Sequence, residues 1–116
     1  MKTIAALLML LVAAALTGCR AHMLTIRLAN ISAAPISTII IDYPSATFGK
    51  DKLAPGETFS SPVKITDRGP LKVQFTDASG KNHSYTGPVL QPNAEGTMEI
   101  KLDQNNATIT PEPRDR

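Results

Sequence analysis

Hydrophobic and polar residues alternate with a period of two along much of the chain after residue 23. The clearest alternating segments are 24–28, 71–75 and 98–102. This pattern predicts β-strands with one buried face and one solvated face, as in antiparallel sheets. Further short candidate strands lie at 47–50, 58–61, 63–66, 82–86 and 107–110.

The segment 36–43 departs from this alternation, because Ile39, Ile40 and Ile41 are consecutive. Apolar residues on both sides of a strand are typical of a strand that is covered on both faces. We therefore predict that this segment is a central strand with protein packed on both of its sides.

The segments between the candidate strands contain turn-forming residues. Pro55-Gly56 and Asp77-Ala78-Ser79-Gly80 suit tight turns in which the glycine adopts a positive φ. The nine prolines lie mainly between the strands and disfavour long helices. The predicted fold is all-β: a single antiparallel, immunoglobulin-like β-sandwich of about seven strands, over residues 24–110. Residues 111–116 are predicted to be a disordered tail.

The first 18 residues have a different pattern. Lys2 is followed by a continuous apolar segment from Ile4 to Leu16. Because a membrane-spanning helix needs about 20 such residues, the shorter segment is typical of a secretory signal peptide. It ends in small residues directly before Cys19, the only cysteine of the chain.

The sequence Leu16-Thr17-Gly18-Cys19 resembles the lipobox of bacterial lipoproteins. The resemblance implies that signal peptide 1–18 is removed and that the thiol of Cys19 receives a lipid, commonly completed by palmitate. Residues 19–23 would then form a lipidated tether to the membrane. Arg20 occupies the position at which aspartate favours the inner membrane, so the resemblance favours an outer-membrane protein facing the periplasm in a Gram-negative cell.

Two alternatives to the lipobox interpretation remain open. Cleavage after Ala13-Ala14-Ala15 would leave Cys19 as a free thiol, and an uncleaved segment would act as the anchor. With one cysteine, an intramolecular disulfide is impossible under any of these interpretations, so the domain must be stabilised by its core.

Charge and motif content exclude several classes of function. The net charge is +2 and the lysines are dispersed among acidic residues. This distribution lacks the basic stripe of nucleic-acid-binding proteins, and we predict no nucleic-acid partner. His22, Met23, His83 and Met98 are potential copper ligands, but their spacing forms no recognisable metal motif. We predict neither a metal site nor a cofactor.

The candidate catalytic residues are few. His83 lies close in sequence to Asp77, Ser79 and Ser84, residue types that form hydrolase triads. A Gly-x-Ser-x-Gly motif is absent, and neighbouring strand residues point to opposite faces. We interpret His83 as an exposed strand residue and predict that the protein is not an enzyme.

These observations favour a membrane-anchored lipoprotein that acts as a structural or protein-interaction module of the cell envelope. Its expected partners are the membrane, through the lipid on Cys19, and another envelope protein. The alternative is a small-ligand or glycan-binding module, since sugars stack on exposed aromatic rings. That alternative predicts an exposed cluster of Tyr43, Phe48 and Tyr85.

Overall fold

The computed structural model describes residues 22–112. Cys19, the predicted signal peptide and residues 113–116 lie outside this range. None of the described residues belongs to a helix that is long and apolar enough to cross a membrane. Residues 22–112 form eight strands: β1 (Leu24–Asn30), β2 (Ile36–Tyr43), β3 (Ala46–Leu53), β4 (Thr58–Val63), β5 (Gly69–Thr76), β6 (Asn82–Leu90), β7 (Gly96–Asp103) and β8 (Asn106–Glu112).

The strands form a β-sandwich of two four-stranded sheets. Sheet 1 has the order β4-β1-β7-β8, and sheet 2 has the order β3-β2-β5-β6. The predicted all-β sandwich is confirmed, with eight strands rather than seven. All neighbouring strands are antiparallel except β1 and β7, which run parallel. Sheet 1 is therefore mixed rather than purely antiparallel, because β7 enters it from the same end as β1.

The connections between strands lie at the two ends of the sandwich. We call the end at which β1 begins the proximal pole and the opposite end the distal pole. The proximal pole holds the connections 44–45, 64–68 and 91–95, and β8 ends there. The distal pole holds the connections 31–35, 54–57, 77–81 and 104–105.

The core lies between the sheets and consists of the inward-facing residues of the alternating strands. Ile26 and Ile100 from sheet 1 and Val73 and Phe75 from sheet 2 are almost completely buried. The parallel pairing places Ile26 beside Met98 and Leu28 beside Ile100, so the apolar faces of β1 and β7 coincide. The alternation that predicted these strands thus marks their buried faces.

A bulge at Thr38 explains the irregular apolar pattern of β2. Thr38 has a φ of 49°, and the register of β2 against β5 shifts between Ser37 and Ile40. The shift lets both Ile39 and Ile41 face the core, while Ile40 is half-buried on the outer face of sheet 2. β2 is central in its sheet, as predicted, but the prediction that both of its faces are covered was wrong.

Two predicted boundaries were also wrong. Residues 64–68 form a loop and not a strand, although Ile65 within it is fully buried. Its carbonyl accepts a hydrogen bond from the amide of Asn93, which fixes the loop without a β-ladder. At the other boundary, β8 continues to Glu112 because its pairing with β7 extends that far.

Candidate functional site

The β5–β6 hairpin at the distal pole is organised around the carboxylate of Asp77. Its Oδ1 accepts hydrogen bonds from the amides of Ser79 and Lys81, at 2.9 and 3.0 Å, and from Ser79 Oγ at 2.6 Å. Its Oδ2 lies 2.8 Å from Nε2 of His83. Gly80, at a φ of +91°, allows the hairpin to close as predicted.

His83 is packed against aromatic rings, and its side chain is only 10% exposed. It lies directly opposite Phe75 in the β5–β6 ladder, so both residues face inward. The ring centroid of His83 is 5.1 Å from that of Phe75 and 6.4 Å from that of Tyr85. The interpretation of His83 as an exposed residue was therefore wrong. His83 and Tyr85 are two residues apart on β6, and this spacing was the sequence signal that both face the core.

Three of the candidate catalytic residues, Asp77, Ser79 and His83, lie together, but not in the order of a hydrolase triad. In a Ser–His–Asp triad, the serine donates to the imidazole and the imidazole donates to the carboxylate. Here the hydroxyl of Ser79 donates to Asp77, and no hydrogen bond joins it to His83. Ser84 follows His83 along the strand and is exposed on the outer face. The Asp77 carboxylate instead holds the β5–β6 hairpin together, and we call this cluster of Asp77, Ser79 and His83 the hairpin clamp.

The hydrogen bonds of this clamp change the acidity of Asp77. The bond from His83 and, next, the bond from the Ser79 hydroxyl hold the pKa of Asp77 well below its usual range. Because the folded state has the lower pKa, ionised Asp77 stabilises the fold above the unfolded value of about 4. This contribution is lost as the pH falls from about 4 toward the lowered pKa.

We expect Asp77→Asn to reduce the loss of folding stability that the wild type shows as the pH falls below about 4. The substitution should destabilise the protein at neutral pH, and its unfolding curve should converge with that of the wild type as the pH falls below about 4. Urea unfolding measured from neutral to strongly acidic pH tests this. Asp51→Asn, at an exposed position on β3, is the control. A constant difference between Asp77→Asn and wild type at every pH would contradict the assignment.

The potential metal ligands do not converge. His22 pairs with Glu95 near the proximal pole, whereas His83 pairs with Asp77 at the distal pole. Met98 is buried in the core. Among residues 22–112, no group of three or more His, Cys, Asp or Glu side chains is placed to hold a metal ion.

The three aromatic residues considered for ligand contact lie on two sides of the sandwich. Tyr43 and Phe48 are neighbours, with ring centroids 6.3 Å apart, and close the side formed by β3 and β4 together with Phe59. Tyr85 closes the other side, where its hydroxyl donates to the carbonyl of Asn105. All of these rings are half-buried against the core and form no common exposed patch.

Gln104, which the sequence did not single out, links the loops of the distal pole. Its Oε1 accepts a hydrogen bond from the amide of Ala78, at 2.8 Å. Its Nε2 donates to Ser32 Oγ and to the carbonyl of Ala34, at 2.8 and 3.1 Å. One side chain thus ties the β1–β2 loop and the β5–β6 hairpin to the β7–β8 turn.

Apolar residues are exposed on the loops of the distal pole. Ile31 is 55% exposed, the largest exposed fraction among the large hydrophobic residues of the described range. Smaller exposed apolar residues from three of the distal connections accompany it, and we call the whole set the distal apolar surface: Ile31, Ala33, Pro35, Ala54, Pro55 and Ala78.

The comparisons with known proteins agree with the fold. No protein-family model matches the chain, and no curated protein matches it in sequence. A protein from Eubacterium rectale, solved by NMR, has a similar structure with a TM-score of 0.57 at 16% sequence identity. The similarity covers 76% of this chain and 86% of that protein. At this identity the similarity shows that the two chains share a β-sandwich fold.

Proposed function

We propose that the protein is a membrane-anchored lipoprotein of the bacterial cell envelope that binds another envelope protein through its distal pole. The observation that carries this proposal is the distal apolar surface, which lies at the opposite end of the sandwich from the start of β1. Arg20 after the lipobox favours placement in an outer membrane, with the domain in the periplasm.

The length of the tether limits how far the proximal pole can lie from the membrane. Leu24, the first residue of β1, follows Cys19 by five residues. Five extended residues span at most about 17 Å. A lipid on Cys19 therefore keeps the start of β1, at the proximal pole, within about 17 Å of the membrane, whereas the tether does not hold the distal pole there.

The distal pole is suited to protein contact because its loops are held in place before binding. Gln104 links two loops to the turn that carries it, and the buried side chain of Asn30 anchors the β1–β2 loop. Ordered loops lose less conformational entropy on association than mobile ones. A single large apolar side chain such as Ile31 can then act as an anchor in a pocket of the partner.

The lipid anchor predicts that Cys19→Ser abolishes labelling by a palmitate analogue in growing bacteria. The thiol is the site of lipid attachment in the family that the lipobox resembles, and serine cannot replace it. In-gel detection of the label on immunoprecipitated protein measures the result, with Ser79→Ala as a control that keeps Cys19. Label that persists after Cys19→Ser would refute the anchor.

The contact surface predicts site-specific crosslinking in intact cells. A photocrosslinking amino acid at position 33, beside Ile31, should capture one defined envelope protein. The same group at position 89 should not, although Val89 is 48% exposed, because it lies near the proximal pole. Adding Ile31→Asp should reduce capture at position 33 about tenfold or more. A tenfold change in affinity corresponds to about 1.4 kcal/mol, and burying an unpaired carboxylate in the interface costs more than that. Equal capture from both positions would contradict the proposal.

A further inference from the structure

The outer face of sheet 2 contains a depression that neither the distal apolar surface nor the tether uses. Its volume is about 330 Å³. Three of its residues lie side by side on adjacent strands: Ile40 on β2, Gln74 on β5 and Ser84 on β6. Thr38, Thr76 and Asn82 line it toward the distal pole.

The depression includes Thr38, where the backbone is strained. Thr38 is β-branched and has a positive φ, a combination that sterics disfavour. The bulge at this residue turns β2 and leaves Ile40 half-buried, in contact with solvent on the outer face. Bulges and strained backbone of this kind concentrate at binding and catalytic sites.

The lining has the chemistry of a site for a neutral polar ligand. Phe75 and His83 also line the depression, but their side chains face inward, away from the outer face of the sheet. The other six side chains carry no charge, and they offer hydroxyl and amide groups around one aliphatic side chain. Thr76 Oγ1 donates to Asn82 Oδ1 at 2.7 Å, which fixes that pair. Within the described part of the chain, the side chains of Gln74 and Ser84 form no hydrogen bond to protein atoms, so both have capacity for a ligand.

We propose that this depression binds an N-acetylated amino sugar of a glycan chain. The acetamide of such a sugar is matched by the Gln74 amide, which donates and accepts at once, and by Ile40, against which the acetyl methyl packs. The ring hydroxyls are matched by Ser84 and its neighbours. The site needs no aromatic platform and differs from the cluster of Tyr43, Phe48 and Tyr85 that the sequence suggested.

Saturation-transfer NMR with triacetylchitotriose (below, chitotriose), the neutral trimer of N-acetylglucosamine, tests this inference on the full chain in detergent micelles. The acetyl methyl protons should receive the strongest transfer at millimolar sugar. Ser84→Ala should weaken binding about three- to tenfold through the lost hydrogen bond, and Ile40→Lys should abolish it. Maltotriose, which lacks the acetamide, should bind more weakly than chitotriose.

The controls separate a lost site from a lost fold. Ser60→Ala changes an exposed serine on β4, an edge strand like β6 but in the other sheet, and should leave binding unchanged. Thermal unfolding of each variant checks that the domain is intact. Absence of transfer from chitotriose, or transfer that Ser84→Ala and Ile40→Lys leave unaltered, would overturn the inference. Because Cys19→Ser leaves the depression intact, failure of the lipid anchor and failure of this site are distinguishable.

Discussion

Phe75→Ala is expected to lower the free energy of unfolding by about 3–5 kcal/mol, the range for removing a fully buried aromatic side chain. Phe75 is 1% exposed and is among the largest fully buried side chains of the core. Its ring also contacts the rings of His83 and Tyr85, with centroids 5.1 and 5.9 Å away. Alanine would leave a cavity and remove the surface against which both rings pack. A small domain has about 5–15 kcal/mol of stability in total, so this loss threatens folding itself.

Urea unfolding followed by far-ultraviolet circular dichroism measures this loss. Phe75→Leu, which keeps most of the buried volume, should cost clearly less than Phe75→Ala. Val89→Ala, at a position 48% exposed on β6, should change stability by no more than about 0.5 kcal/mol. Equal effects of Phe75→Ala and Val89→Ala would contradict the assignment of Phe75 to the core.

Asn30→Ala is expected to cost about 2–4 kcal/mol, because the buried carbonyl of Leu53 loses the Asn30 donor, at about 1–3 kcal/mol, and the part-buried amide of Ser32 loses its acceptor. Asn30 is the buried polar residue of the described core, at 1% exposure. Its Nδ2 donates to the carbonyls of Ala34 and Leu53, at 2.9 and 3.0 Å. Its Oδ1 accepts from the amide and the hydroxyl of Ser32, at 2.9 and 2.6 Å. The side chain thus joins the β1–β2 loop to the end of β3.

The same unfolding assay tests this prediction, with Asn106→Ala as the matched control at an exposed position. Ser32→Ala, which removes one hydroxyl of the network, should fall between the two. Hydrogen exchange should show that Asn30→Ala loosens the β1–β2 loop, since the Ser32 amide loses its acceptor. A loss of stability below about 0.5 kcal/mol would contradict the role of Asn30 in holding the β1–β2 loop against the end of β3.

Local sequence pattern predicted most of the strands because it records which face of each strand is buried. The alternation in 71–75 and 98–102 maps directly onto the inward-facing residues of β5 and β7. The pattern failed at Thr38, since a bulge adds one residue and reverses the faces beyond it. Apolar runs from a bulge and from a doubly covered strand look the same in sequence, and only the pairing register distinguishes them.

At the distal pole, only contacts between residues close together in sequence could be predicted. Asp77, Ser79 and His83 lie within one hairpin, so their proximity follows from the turn. Gln104 contacts residues that are 26 to 72 positions away, and no local signal marks such contacts. The strand order of the two sheets creates these contacts, and the sequence pattern contains no information about that order.

The position of β1 in sheet 1 also determines how the domain responds to mechanical force. β1 lies between β4 and β7 and pairs with them at six and seven positions. Inter-strand hydrogen bonds run across the strands. A pull on the start of β1, resisted at the distal pole, acts along the strand and loads both ladders in shear, so that many hydrogen bonds must break together. The lipid proposed for Cys19 would therefore pull on one of the most firmly paired strands of the described domain, along the direction that loads both of its ladders in shear.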